Sequence, residues 1–274
     1  VPTATTTRRP WRYTVLGCLF LAFMLFPVYW MVNASLQPGV STADLDWFPV
    51  RPSLDGYRAA FATQGANLLT SLVVSLGAVV VSLTVAAPAA YALSLYRVRA
   101  AGAVMFALLL SQMIPGIVIA NALYSAYNDL GILNTTIGLV LADSALGIPF
   151  SILIIQAFMR AIPASLLEAA RVDGAGRLRT FVSIVLPLSK NALITAALFS
   201  FLFAWSDFLF ALTLASNGEA RPVTLGIYLF IGGFVADWGS VMATATMASL
   251  PAGILLVAAQ KYVAAGATGG AVKA

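Results

Sequence analysis

The sequence predicts an all-α integral membrane protein of six transmembrane helices, with a two-helix cytoplasmic loop between the fourth and the fifth. Three observations carry that prediction. Of 274 residues, 61% belong to the apolar and aromatic set and only 9% are charged, with a mean hydropathy of +0.93. A soluble domain carries about 25% charged residues, because its surface must be hydrated. Six runs reach the ~20 apolar residues that a bilayer core demands. The basic residues, finally, gather on one side of those runs.

The first run, at 15–32, follows Arg8, Arg9 and Arg12. Its 18 uncharged residues exceed the core of a secretory signal, about 7–15 residues, so an uncleaved first span is expected. The others lie at about 68–95, 103–124, 137–158, 193–214 and 241–262. Trp11, Tyr13, Tyr29, Trp30, Tyr96, Tyr124, Tyr127, Trp238 and Tyr262 bracket them as interfacial belts do. Pro88, Pro115 and Pro149 fall inside spans, where each removes one helix hydrogen bond and permits a kink. The whole chain, 1–274, reads as one transmembrane domain.

Orientation follows from the cations. With the N-terminus inside, twelve of 15 basic residues face the cytoplasm: Arg8, Arg9, Arg12, Arg97, Arg99, Arg160, Arg171, Arg177, Arg179, Lys190, Lys261 and Lys273. Arg51, Arg58 and Arg221 remain outside. This is the positive-inside asymmetry, and it accounts for the formal charge of +5 without nucleic acid. Both termini are then cytoplasmic. The connections at about 33–67, 129–136 and 215–240 are external.

Several chemistries are excluded. There is no histidine, hence no imidazole metal site or histidine-based triad. Cys18 stands alone in an apolar run. No lysine follows a glycine, so the chain has no Walker A phosphate cradle.

The segment 160–190 is too long for an ordinary connection. Ser165-Leu166-Leu167-Glu168 has capping-box spacing, Pro163 suits a helix entrance, and Gly174 supplies a left-handed terminus after Asp173. A second helix is expected from Arg177 to Leu186, stopped by Pro187. On the first helix, Leu166, Ala169, Ala170 and Asp173 share one face at i, i+3, i+4 and i+7. That face describes a docking knob: the alanines admit a close approach, Leu166 fills a cavity and Asp173 meets a cation. Helix propensity and capping explain the same residues, Glu168 included, and composition does not choose between the two.

The string from Ile162 through Glu168-Ala169-Ala170-Arg171-Val172-Asp173-Gly174 to Ala175, followed by Phe181 and Ile184-Val185-Leu186-Pro187-Leu188, resembles the EAA loop of binding-protein-dependent ABC importer permeases. Leu54-Asp55-Gly56-Tyr57-Arg58, Leu130-Gly131-Ile132-Leu133-Asn134, Phe203-Ala204-Trp205-Ser206-Asp207-Phe208 and Pro222-Val223-Thr224-Leu225-Gly226 are similar to the carbohydrate, MalG-like branch. The tail from Gln260-Lys261-Tyr262-Val263 through Gly266 to Gly269-Gly270-Ala271-Val272-Lys273 is similar as well. Asn191 and Ser206 depart from that branch, which usually has proline and asparagine there.

The resemblance implies a type I importer permease in a bacterial inner membrane. It implies a second homologous permease, two cytoplasmic ATPase domains holding ATP and Mg, and an extracytoplasmic solute-binding protein delivering a sugar. Leu166, Glu168, Ala169, Ala170, Asp173 and Gly174 would form the ATPase-coupling helix, and this chain would hold no cofactor and perform no catalysis. Sugar hydroxyls want neutral donors and acceptors, and sugar C–H faces want aromatic rings. Gln112, Asn121, Tyr124 and Trp205 are therefore candidates for the pathway, with interhelical bonding or an interfacial belt as the other reading. Asp207 and Asp143, acids within spans, either line the path or pair inside the bundle. The alternative function is an ion-coupled secondary transporter, which calls for ionisable groups near the midplane and often a repeated half.

Overall fold

The computed structural model describes residues 11–37, 45–96, 98–217, 220–232 and 238–268. Arg8, Arg9, Arg97 and Lys273 of the topology count, and the tail glycines Gly269 and Gly270, lie outside the described residues.

The described chain is helical: α1 (Trp11–Ser35), α2 (Asp55–Leu95), α3 (Ala101–Ser111), α4 (Gly116–Leu130), α5 (Thr136–Met159), α6 (Ala164–Val172), α7 (Arg177–Thr180), a π-turn (Phe181–Val185), α8 (Leu186–Leu188), α9 (Lys190–Ser206), α10 (Leu209–Leu214), α11 (Val223–Gly232) and α12 (Trp238–Thr268). Four helices are long and apolar enough to cross a bilayer unbroken: α1, α2, α5 and α12. Two bent helix pairs bring the number to six if each is counted as one crossing. α3 and α4 meet at 96°, and the helix from Arg177 to Leu188 meets α9 at 77°.

Two expected spans are thus corrected. The third was expected as one helix over 103–124, but it breaks at 112–115. Pro115 takes an extended conformation (φ −59°, ψ 132°) and has no N–H to continue the ladder. The turn before it tightens to i→i+3 bonds, Gln112 N to Leu109 O at 3.2 Å and Met113 N to Leu110 O at 3.0 Å. The fifth, expected over 193–214, stops at Ser206, because Asp207 is extended (ψ 133°), and resumes as α10. Pro88 and Pro149, by contrast, sit inside continuous helices. The external connection expected at 215–240 contains α11, whose 10 residues are too few to read as a span.

The chain forms two compact units. The first comprises Val1–Thr63 and Phe230–Met247. There Asn33 Nδ2 donates to the carbonyl of Asp46 (2.8 Å), and Ser35 Oγ meets Tyr57 Oη at 2.7 Å. Phe26, Tyr29, Trp30 and Trp47 form an aromatic cluster, with Trp30 edge-on to Trp47 at 5.5 Å. α1 leaves its apolar side chains exposed, as a helix bathed in lipid or another subunit's helices does.

The second unit comprises Gln64–Leu229 and Ala248–Ala274. Its centre is α5 packed along α9. Leucine gains little by leaving lipid for protein, so helices here associate through close backbone approach and hydrogen bonds. Ser151 Oγ and Ser200 Oγ lie 3.0 Å apart across the α5–α9 contact. A Cβ added to Gly147 would stand 2.6 Å from Ser82 Oγ and 3.2 Å from Ser200 Oγ. Most span hydroxyls bond the carbonyl one turn back, as Ser144 does to Val140 at 2.6 Å. Ser82 is buried with no hydrogen-bond partner among the described residues.

Gly147→Val is expected to destabilise the protein by about 1–3 kcal/mol through overpacking. Ser82→Ala, which removes an unsatisfied hydroxyl, should stay within about 0.5 kcal/mol of the parent or exceed it. Equilibrium unfolding in mixed detergent measures both.

Candidate functional site

Two features of the second unit hold most of the sequence-predicted site residues: the helices between α5 and α9, and the exposed face of α4. α6 does not begin with the expected capping box. Pro163 is the N-terminal cap residue (φ −59°, ψ 134°), no side chain caps the helix, and Ser165 already lies within its first turn. The physical reason is register. Pro163 has no N–H to satisfy, and its extended ψ starts the helix two residues earlier than a Ser165 cap allows.

The C-terminus forms as the sequence predicts. Gly174 is left-handed (φ +73°), Gly174 N bonds Arg171 O at 3.1 Å, and Ala175 N bonds Ala170 O at 2.9 Å. That paired pattern is a Schellman motif.

The expected face of α6 divides. Ala170 is buried, and Leu167 is half-buried and packs, like Ile162 and Phe181, against the core cluster that holds Met159. Leu166, Glu168, Ala169, Asp173 and Gly174 are exposed. The exposed arc also carries Val172, 88% accessible, which sequence reasoning missed. At 100° per residue, Val172 falls between Glu168 and Ala169, so Val172 and Ala169 form an apolar strip with an acid on either side, and Leu166 lies just beyond Asp173. Had the helix been set out by angle rather than by i+3 and i+4 neighbours, Val172 would have stood out.

The second loop helix does not stop at Pro187. It runs from Arg177 to Leu188, with Leu186 N bonded to Phe181 O across a π-turn. A proline ring clashes with the carbonyl four residues back, here that of Ser183. Widening the turn accommodates the ring without ending the helix. At the other end Tyr91 Oη lies 3.0 Å from Tyr96 Oη and donates to the Arg177 carbonyl at 3.2 Å. Those bonds tie the loop to the end of α2.

On α4, Ala120 and Tyr127 are buried, whereas Asn121, Tyr124, Ser125 and Asn128 are exposed. Their i, i+3, i+4, i+7 spacing makes one neutral polar stripe on a helix of the bundle. Gln112 is exposed at the α3–α4 break. Ser125 and Asn128 were missed; their spacing from Asn121 was the available signal.

Trp205 and Asp207 are engaged elsewhere. The indole is buried, stacks on Phe201 at 5.4 Å and donates from Nε1 to the Ala248 carbonyl at 2.9 Å. The Asp207 carboxylate accepts from Phe210 N (3.2 Å) and Ala211 N (3.0 Å), covering the free amides that begin α10. Asp143 is buried in α5. No cluster of three potential metal ligands occurs among the described residues.

The described chain is thus a helical membrane protein with bent spans and a short helix pair between α5 and α9. Residues 78–268 match the family described as binding-protein-dependent transport system inner membrane component, and the chain belongs to that family. It is the permease component of an ABC importer, a multi-pass inner-membrane protein working in a transporter complex with a binding protein. The ATPase activity resides in partner subunits.

The chain is 33% identical over 274 residues to the diacetylchitobiose uptake system permease protein DasC of Streptomyces coelicolor, covering 97% of each chain. It is 32% identical over 270 residues to the trehalose transport system permease protein SugB of Mycobacterium tuberculosis, covering 97% of this chain and 98% of that one. Its fold matches a chain in the crystal structure of a bacterial ABC transporter involved in alginate import, with a TM-score of 0.78, 23% identity, and coverage of 96% of this chain and 99% of that one. The ion-coupled alternative gives way to the family assignment.

Trp205→Phe keeps the ring stack and removes the Nε1 donor. It should cost about 1 kcal/mol of stability and leave the KM of transport unchanged. A raised KM with unaltered melting would instead put the indole on the substrate.

Proposed function

We propose that this permease forms half of a sugar pathway, for a di- or oligosaccharide, with a second homologous permease as the other half. Two cytoplasmic ATPase domains, which hold the ATP and Mg, grip its short helix α6. One observation carries this reading: a predominantly apolar chain presents a two-turn helix with an exposed apolar strip between Glu168 and Asp173. A helix that short is marginal in water without packing on both sides, and its own chain covers only the Ala170 side.

Leu166, Ala169 and Val172 fill the partner's cleft, and Glu168 and Asp173 meet cations at its rim. Ala170 anchors the helix inward, and Gly174 sets the turn that returns the chain to Arg177. Packed helices move as bodies, so closure of the ATPases reaches α9 through the continuous helix Arg177–Leu188. Arg160, Arg171, Arg177, Arg179 and Lys190 support a cytoplasmic reading of this end, with both termini on the same side.

For the cargo, the stripe of Asn121, Tyr124, Ser125 and Asn128 offers neutral hydrogen-bonding groups and an aromatic face, the chemistry hydroxyls and sugar C–H faces require. Gln112 extends it at the α3–α4 break. Trp205 and Asp207 support that corner from within. The relatives named for diacetylchitobiose and trehalose point to the same class of solute.

Glu168→Arg or Gly174→Val is expected to leave the subunit inserted and to reduce substrate-stimulated ATP turnover of the assembled complex to its basal level. Normal stimulation in both variants would remove the coupling role. Asn121→Ala and Tyr124→Ala should each raise the KM of transport about fivefold to tenfold, without altering solute affinity of the isolated binding protein. Unchanged transport kinetics in both would take α4 off the pathway.

A further inference from the structure

We infer that the cleft where the end of α2 meets the helix beginning at Arg177 binds one anionic phospholipid of the adjoining leaflet. The inference rests on the reading that this end of the chain is cytoplasmic. The cleft has a volume of about 440 Å³. One wall is apolar, made by Pro88 and Ala92 of α2 with Leu178 and Phe181 opposite, and Leu178 is 74% exposed. The other end is polar, made by Tyr96 and Arg177, with the guanidinium carbon 5.2 Å from the centroid of the Tyr96 ring.

A second, smaller cavity of about 40 Å³ shares Tyr91, Tyr96 and Arg177 and adds Arg171. Two guanidiniums thus border the joint, and neither cavity is lined by a carboxylate. Among the described residues, the only ion pair is Arg58 with Asp55, so neither arginine has an ion-pair partner among them.

The occupant follows from that layout. A guanidinium offers a planar fork of donors matched to phosphate oxygens. Pro88 and Tyr96 are eight residues apart, roughly 12 Å along the helix, which sets the apolar wall below the charge at the depth of an acyl chain. A soluble phosphate ester would leave that wall bare. A zwitterionic lipid would bring its own cation to two arginines. An anionic headgroup with its chain beside Pro88 and Ala92 satisfies both ends. It would bridge α2 and the loop helix at the joint already tied by Tyr91, so leaflet composition would tune how firmly the loop is held.

The test uses the intact transporter in phosphatidylcholine vesicles containing a diazirine-bearing phosphatidylglycerol, with adducts mapped by peptide mass spectrometry. Label is expected at residues 88–92 and 178–181. It should fall about fivefold in Arg177→Gln, the worth of one basic residue at an anionic surface. Arg177→Lys should retain most of it, and Arg179→Gln, an exposed cation outside the cleft, should match the parent. Copurification of the other subunits checks that each variant assembles.

Equal labelling by a phosphatidylcholine probe, or loss of label on adding inorganic phosphate, would overturn the proposal. So would label that appears only after the complex is dissociated, since a protein subunit would then fill the cleft. Labelling needs no ATP turnover, so a failure of the Glu168 and Gly174 variants to uncouple the complex would leave this result standing.

Discussion

In a bilayer each peptide N–H and C=O must find its partner inside the protein, because hydrocarbon offers none and an orphan costs several kcal/mol. Several described departures from a plain helix in this permease are built around that demand. Where α9 gives out at Ser206, the Asp207 carboxylate takes the amides of Phe210 and Ala211, and the Thr224 hydroxyl takes the Asp207 carbonyl at 2.6 Å. Where α11 starts after Pro222, Ser71 Oγ accepts from Val223 N at 2.8 Å. Between α4 and α5, Asn134, at φ +60°, donates from its amide to Leu214 O (2.8 Å), and its side chain accepts from Asn217 N (3.1 Å). Thr135 Oγ1 then caps α5 through Gly138 N at 3.1 Å. The polar residues of the spans are thus largely the means by which the chain can bend at all.

The same solvent explains the packing. Burying leucine against leucine gains little when lipid is just as apolar, so helices are held by shape and by hydrogen bonds. A Cβ on Gly77 would stand 2.8 Å from Val140 Cγ2, and Gly147 nests against Ser82 and Ser200. These are points where α2 and α9 approach α5 closely enough for its turns to interdigitate. A bundle joined this way shifts as whole helices, the kind of motion a permease driven from outside requires.

The helices between α5 and α9 obey the opposite rule. They are short and highly exposed, and what holds them is tertiary: Leu167 and Ala170 turned inward, Tyr91 bonded to the Arg177 carbonyl, and Phe181 against Tyr91 at 4.9 Å. Rigidity at their base and exposure at their tip belong together.

The sequence by itself determined the solvent, the all-helical class and the address of the exposed loop. Those follow from local composition summed over 20 or more residues, and from a glycine after Asp173 that only a left-handed turn explains. The class of machine was legible only through the resemblance of the string from Ile162 to Leu188 to the EAA loop, since composition and the missing phosphate cradle left an ion-coupled transporter open. Tertiary structure alone decided where the third and fifth crossings break, that Pro187 is absorbed by a π-turn, and that Ala170 turns in while Val172 turns out. It also decided that Trp205 and Asp207 serve Ala248 and α10. Each of these depends on which carbonyl, amide or cavity from elsewhere in the chain lies within about 3 Å of a side chain, the reach of a hydrogen bond. Residue spacing along one helix carries no record of what stands opposite.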